Sequence, residues 1–277
     1  MKKPIVLCFS GADPSGGAGT QADIEAIASM GCHAATIITA LTAQNSQGVK
    51  SFQTTDVDYL HTQADLLLAD MQIDAIKTGM LATSAAVDAI IKIIITQPNI
   101  PLVVDPVMSG NIGGDLSHAD YAQTLSKSLL PLATIVTPNI PELYKLAAQG
   151  HVAPQGHVAP KENNLADACK KISSSRCQYV LVTGAHEDDP NNNQEVVNRL
   201  FKNGELIDQQ TWPRLPGEYH GSGCTLASSL AALLAKKIDI VEAVHAAQDY
   251  TWRSLNAGQA LGKGQQHPDR FFWAKGS

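Results

Sequence analysis

Ile5-Val6-Leu7-Cys8-Phe9-Ser10-Gly11-Ala12-Asp13-Pro14-Ser15-Gly16-Gly17-Ala18-Gly19-Thr20-Gln21-Ala22-Asp23 is the stretch on which the fold turns. Ile5 to Phe9 is an unbroken apolar run of strand length. Gly11 to Gly19 reads as a loop, and a helical pattern runs from about Gln21 to Met30. A strand that is apolar throughout must be covered on both faces, which is the habit of parallel sheets. A tight turn from such a strand into a helix lies at the strand's carboxyl end, where open parallel sheets hold ligands.

The same alternation continues. Strand-like runs recur at Ala35–Leu41, Ala75–Thr78, Leu102–Val104, Thr134–Val136 and Tyr179–Val182. Helical patterns fill the gaps at about Asp58–Asp70, Ser84–Thr96, Tyr121–Leu130, Pro141–Ala148 and Leu165–Ser173. Strands alternating with helices imply a parallel sheet between two helical layers. Val196 to Ile207 breaks the pattern, because Asn203-Gly204 signals a type I′ turn and hence an antiparallel hairpin at the sheet edge. The last helix is expected to start at Asp239, with Glu242 completing a capping pair. No linker divides the chain, so residues 1–277 are read as one domain. The duplicated hexapeptide Gln149–Pro154 and Gln155–Pro160 reads as a surface loop, and Glu187–Asn193 as a mobile loop or a flap over a site.

A second stretch carries chemistry. His220-Gly221-Ser222-Gly223-Cys224-Thr225 leads directly into a helix whose Leu226, Leu230, Leu233 and Leu234 share one face. The first N–H groups of a helix have no partner inside it, and the peptide dipoles make that end positive. The turn is therefore an anion site with a thiol beside it. The glycine loop near the N-terminus fails as a P-loop, because Gly17 stands where Lys is required. Gly17-Ala18-Gly19-Thr20-Gln21-Ala22 fits the dinucleotide fingerprint, but no acidic residue lies near position 40 to hold a ribose.

Composition narrows the class. A net charge of −6 argues against a nucleic-acid binder. The five cysteines form no CxxC or Cys/His cluster, which argues against a disulfide framework or a zinc site. Neither a signal segment nor an 18-residue apolar run is present, so we expect a soluble cytoplasmic protein without a membrane partner.

Seven stretches in order resemble the hydroxymethylpyrimidine/phosphomethylpyrimidine kinases of thiamine biosynthesis, a ribokinase-like family. They are Gly11–Gly19, Gln21-Ala22-Asp23, Thr39–Asn45, Lys77–Leu81, Val104–Met108, Thr137–Glu142 and His220–Leu226. The resemblance implies a three-layer α/β/α sandwich with a mostly parallel sheet. It implies transfer of the γ-phosphoryl group of ATP to an aminopyrimidine alcohol and then to its monophosphate. The cofactors would be ATP and Mg2+, and the assembly a homodimer. Gly221, Ser222, Gly223 and Cys224 would hold the migrating phosphoryl group, with Cys224 as general base, its pKa lowered by the helix start. Gln44, Asp23, Gly11, Met80 and Val107 would bind the pyrimidine, Gln44 gripping an exocyclic amine and the adjacent ring nitrogen. Asn139, Thr183 and Lys77 would serve ATP, and Asp105 and Glu142 the metal. Thr183 departs from the family, which has Lys at this point, and Arg214–Tyr219 replaces a Thr/Asn-rich run. Two alternatives stand beside this reading: a pyridoxal kinase of the same superfamily and a non-catalytic pyrimidine or nucleotide sensor.

Overall fold

The computed structural model describes residues 2–110, 114–115, 119–149, 165–184 and 194–274. The repeat beyond Gln149 and the 187–193 segment lie outside the described residues. The chain runs β1 (Ile5–Ala12), α1 (Gly19–Ser29), β2 (His33–Asn45), β3 (Gly48–Thr54), α2 (Val57–Asp70), β4 (Ala75–Thr78) and α3 (Ser84–Ile94). It continues through β5 (Leu102–Val104), the short strands β6 (Ser109–Gly110) and β7 (Gly114–Asp115), α4 (Ala119–Thr124), β8 (Ile135–Val136), α5 (Ile140–Ala148) and α6 (Leu165–Ile172). It ends with β9 (Tyr179–Val182), β10 (Glu195–Lys202), β11 (Glu205–Pro213), α7 (Ser222–Ala235) and α8 (Ile240–Asn256).

Among the described residues one nine-stranded sheet has the order β11-β10-β9-β8-β5-β4-β1-β2-β3. The six strands from β9 to β2 are parallel, and β10, β11 and β3 are antiparallel to their neighbours. Phe9 and Leu7 of β1 pack with α2, α3 and α5 on one face of the sheet. Val6 and Cys8 pack with α1, α7 and α8 on the other. Burial on both faces explains why β1 is apolar at every position from Ile5 to Phe9. The sheet grows outward from β1 in both directions, through β2 on one side and β4 on the other. That reversal opens a crevice at the strands' carboxyl ends.

The expected edge hairpin is present as β10 and β11. Asn203 (φ 53°) and Gly204 (φ 85°) both adopt the left-handed backbone that a type I′ turn requires. A second antiparallel hairpin, β2–β3, was not expected; β3 is mostly exposed and lacks the apolar run that marks the inner strands. The helix expected over 121–130 is composite: α4 passes into a π-helical turn at Leu125–Leu129 and a 3-10 turn at Leu130–Leu132. Pro131, with no N–H to offer, accounts for the change of winding. Asp239 does cap α8, through the N–H of Val241. The reciprocal capping box instead forms at α5, between Asn139 and Glu142.

Candidate active site

The carboxyl ends of β1, β4, β5, β8 and β9 open into a cleft of about 1010 Å³. The start of α7 forms its floor. Gly221, at φ 83°, turns the chain into the helix, and the first helical bond runs from Thr225 N–H to the Gly221 carbonyl. Among the described residues the N–H groups of Gly221, Ser222, Gly223 and Cys224 donate to no protein acceptor, and all four residues line the cleft. The N-terminus of α1 converges on the same point, since the Gly19 N–H is directed at the Cys224 sulfur.

Glycine is needed here because two backbone turns touch. A side chain on Gly221 would place its Cβ 2.0 Å from the Gly17 carbonyl oxygen, and one on Gly19 would lie 2.2 Å from the Gly11 carbonyl oxygen. The near-N-terminal glycine loop thus props up the anion turn. Asp13 braces the pair: it accepts from Ser15 N–H, Ser15 Oγ and Ala18 N–H, and lies 2.9 Å from His220 Nε2. Burial opposes ionisation of Asp13, yet these hydrogen bonds outweigh it and hold the carboxyl at about 2. Arg270, 2% exposed, donates to the Gly17 carbonyl, to Thr225 Oγ1 at 2.9 Å and to Glu25 at 3.1 Å. No sequence pattern marks Arg270 or the Asp13–His220 pair, because the backbone or carboxylate each one holds at this turn lies more than 200 residues away.

Cys224 is half-buried on the floor. The helix start alone would lower its pKa, and the structure reverses this expectation. Burial raises the thiol to about 11; Lys77 and the Gly19 N–H oppose the rise, while Asp105 and Asp23 reinforce it. The sulfur hydrogen-bonds to the Asp105 carboxylate. Lys77 and Asp23 form a fully buried ion pair at 2.8 Å. Burial disfavours charge on Lys77, but Asp23 outweighs it and keeps the lysine protonated. Asp23 also accepts from Ser228 Oγ at 2.6 Å and from Ser10 Oγ. Its carboxylate is fully engaged and does not line the cleft, whereas Ser10 and Lys77 do. The contact of Asp23 with substrate implied by the resemblance is therefore corrected: Asp23 is the counter-ion beneath Lys77.

Asp105 and Glu142 line the cleft on the other side of Cys224. Burial raises Asp105 to about 6, against the pull of Lys77, and raises Glu142 to about 8, with Asp105 adding to it. Glu142 accepts from the Asn139 N–H, and Asn139 Oδ1 accepts from the Glu142 N–H. Part of Glu142 and the Asn139 side-chain oxygen are thus spent on capping α5. Among the described residues the adjacent Thr137 hydroxyl, buried in the same wall, has no hydrogen-bond partner.

Gln44, Gly11, Met80 and Val107 all line the cleft, Gly11 and Gln44 from the β1–β2 side of the sheet. A bulge between Ala43 and Gln44 breaks the β2–β3 register at that point, and bulges of this kind re-aim side chains. A second irregularity, between Ser10 and Gly11, brings Gly11 so close to Met80 that a Cβ would lie 3.0 Å from its sulfur. The other end contains Thr183, Asn198, Trp212 and Gln248. Thr183 bridges to Asn139 and brings no positive charge. The cations that line the cleft besides Lys77 include Lys50 of β3 and Arg214.

The profile of the phosphomethylpyrimidine kinase family matches residues 13–269. The chain belongs to this family. As a phosphomethylpyrimidine kinase family member it is 33% identical over 278 residues to a chloroplastic thiamine biosynthetic bifunctional enzyme of Arabidopsis thaliana, covering 99% of this chain and 51% of that protein. The chain spans about half the length of the first curated relatives it matches. A hydroxymethylpyrimidine/phosphomethylpyrimidine kinase of Rhizobium meliloti (strain 1021) is 33% identical over 279 residues, covering 97% of this chain and 98% of that one. An ADP complex of Bacillus subtilis pyridoxal kinase shares the fold at a TM-score of 0.82 and 26% identity, covering 99% of this chain and 100% of that one. No helix among the described residues is long and apolar enough to cross a membrane.

Proposed function

We propose that this protein transfers the γ-phosphoryl group of ATP to 4-amino-5-hydroxymethyl-2-methylpyrimidine, and then a second phosphoryl group to the resulting monophosphate. The observation that carries the reading is the row of unshared N–H groups from Gly221 to Cys224, set between the Gln44 end and the Thr183 end of one cleft. Phosphoryl transfer needs positioning and charge neutralisation more than covalent help. Donors fixed before the reaction need no reorganisation, and each contributes about 2.7–4 kcal/mol in comparable sites.

The residues divide the work. The 221–224 amides receive the phosphoryl oxygens as the group migrates. Lys77, held charged by Asp23, adds a fixed positive field beneath them. Gln44 presents an amide to the aminopyrimidine edge, and Met80 and Val107 form apolar walls. Burial keeps the resting Cys224 thiol neutral, so Cys224 takes the alcohol proton in the first transfer as its own proton passes to the neighbouring Asp105 carboxylate. In the second transfer the attacking phosphate is already largely ionised, because its second pKa is about 6. Asp105 and Glu142 are the residues that would hold Mg2+. Two carboxylates raised by burial, Glu142 further by Asp105, beside a hydroxyl that has no partner among the described residues, suit a hard cation that keeps several waters. Mg2+ would neutralise phosphate charge there. A cytoplasmic homodimer belongs to the same proposal, and sedimentation would test the dimer.

The test is ADP release with 31P detection of products, using the aminopyrimidine alcohol, its monophosphate or pyridoxal as acceptor. Turnover of both pyrimidines is expected. Pyridoxal lacks the exocyclic amine that Gln44 would grip, so turnover on pyridoxal alone would replace this reading with that of a pyridoxal kinase. Tight binding without turnover would leave a sensor.

A further inference from the structure

The tip of the β2–β3 hairpin is covered where a surface turn would ordinarily meet water. Ser46 lies between Asn45, the last residue of β2, and Gly48, the first of β3, yet it is only 8% exposed. A strap of residues 258–270, which follows α8, covers it. The Ser46 carbonyl accepts from Gln265 N–H at 2.8 Å, and its hydroxyl accepts from Gly264 N–H at 3.1 Å. The fit is close. A Cβ on Gly264 would lie 2.2 Å from the Ser46 carbonyl oxygen, and one on Gly262 would lie 2.3 Å from Ser46 Oγ.

The next residue of the strap holds the anion turn. Gln266 N–H donates to the Glu218 carbonyl at 2.8 Å, and the Gln266 carbonyl accepts from His220 N–H at 2.9 Å, one residue before Gly221. The strap is itself anchored. Gln259 and His267 exchange N–H bonds at 2.9 Å, Asp269 N–H donates to the Ser254 carbonyl of α8, and Arg270 reaches the Gly17 carbonyl and Thr225 Oγ1. β3, by contrast, is the exposed last strand of the sheet. Were the two forced apart, the hairpin would yield before the strap. Ser46 is two residues from Gln44, beyond the bulge that breaks the register after Ala43. Two adjacent residues, Gln265 and Gln266, therefore tie the stretch that carries Gln44 to the stretch that carries the amide row.

We infer that Ser46 is a positioning residue: its seat on the strap fixes how far Gln44 stands from the 221–224 amides, and so sets affinity for the pyrimidine but not for the nucleotide. The inference rests on the proposed kinase reading, and binding measured without turnover separates the two. Gly264 has no positive φ, so alanine there is opposed by the contact with the hairpin tip and not by its own backbone. Calorimetry on the full chain gives the affinity for the aminopyrimidine alcohol, with and without Gly264→Ala, in the unaltered protein and in Gln44→Ala. AMP-PCP with Mg2+ is the nucleotide probe, and thermal unfolding controls for folding. We expect Gly264→Ala to weaken pyrimidine binding at least about tenfold, in keeping with the cost of a displacement of about 1 Å, with AMP-PCP affinity unchanged. In the Gln44→Ala background it should make little further difference, because both changes remove the same contact. Ser46→Ala, which loses one hydrogen bond and no backbone fit, should weaken pyrimidine binding about threefold with the same selectivity, and it carries the test if Gly264→Ala does not fold. Unchanged pyrimidine affinity in both variants, equal losses for pyrimidine and AMP-PCP, or an undiminished Gly264→Ala loss in the Gln44→Ala background would overturn the inference. An unaltered protein that binds AMP-PCP but no aminopyrimidine would overturn the pyrimidine reading itself.

Discussion

Replacing Glu142 with Gln should make the metal-free protein more stable at alkaline pH while impairing its catalysis. Burial and the neighbouring Asp105 raise Glu142 from 4.5 to about 8. A carboxyl whose pKa is higher in the folded state favours folding below its unfolded value. That contribution disappears as pH rises through the folded value. The unaltered protein should therefore lose stability between about pH 4.5 and pH 8, by up to about 1.36 kcal/mol per pH unit. The full shift sets a ceiling of about 5 kcal/mol. Glu142 is only half-buried and faces an open cleft, so about 2 kcal/mol is the realistic figure. The Glu142→Gln change removes the titration and still leaves an oxygen to accept from the Asn139 N–H, so the capping box survives. For a chain of this size the difference corresponds to about 5 °C in Tm. Circular dichroism melts in EDTA at about pH 4.5 and about pH 9 would measure it. The two proteins should nearly coincide at the lower pH, and the Glu142→Gln variant should have the higher Tm at the upper. The variant should also need more Mg2+ for half-maximal turnover. Parallel Tm curves for the two proteins across this range would refute the claim that Asp105 and Glu142 repel each other in a cleft poised for a cation.

Cys224→Ala should slow the first transfer at least about tenfold more than the second, as measured by single-turnover kinetics on alcohol and monophosphate; equal losses would assign the thiol to packing. Gly221→Ala forces a Cβ onto the Gly17 carbonyl at a positive φ. It should cost both transfers roughly 10²-fold through displacement of the amide row, read in the same single-turnover assay. Asp13 is held at about 2 against an ordinary 3.8, so its ionised form favours folding above about pH 4 by about 2 kcal/mol. That contribution fades as pH falls towards about 2, so Asp13→Asn should be destabilised in urea at about pH 7, with the gap closing below about pH 4.

Continuous apolar runs and glycine turns made the inner sheet readable. Ala75–Thr78, Leu102–Val104 and Tyr179–Val182 are strands with the expected ends because each is buried on both faces. β3 was not readable, since an exposed edge strand needs only pairing and carries no apolar signature. The motif residues converge on one cleft because each ends a strand or opens a helix, and a parallel sheet brings those ends together. Asp23 illustrates the limit. Its place on the first turns of α1 was evident, but its burial against Lys77, Ser10 and Ser228 depends on contacts with residues up to 205 positions away. Cys224 illustrates another: the helix start was visible in the sequence, but the two carboxylates that oppose it were not visible as its neighbours.

The contact between the Gly17 and Gly221 backbones joins regions far apart in the sequence, and Arg270 clasps them from farther along it. During synthesis this grip cannot exist until Arg270 has left the ribosome. A product truncated before Gly221 would carry the sheet's inner strands yet lack the assembled anion turn.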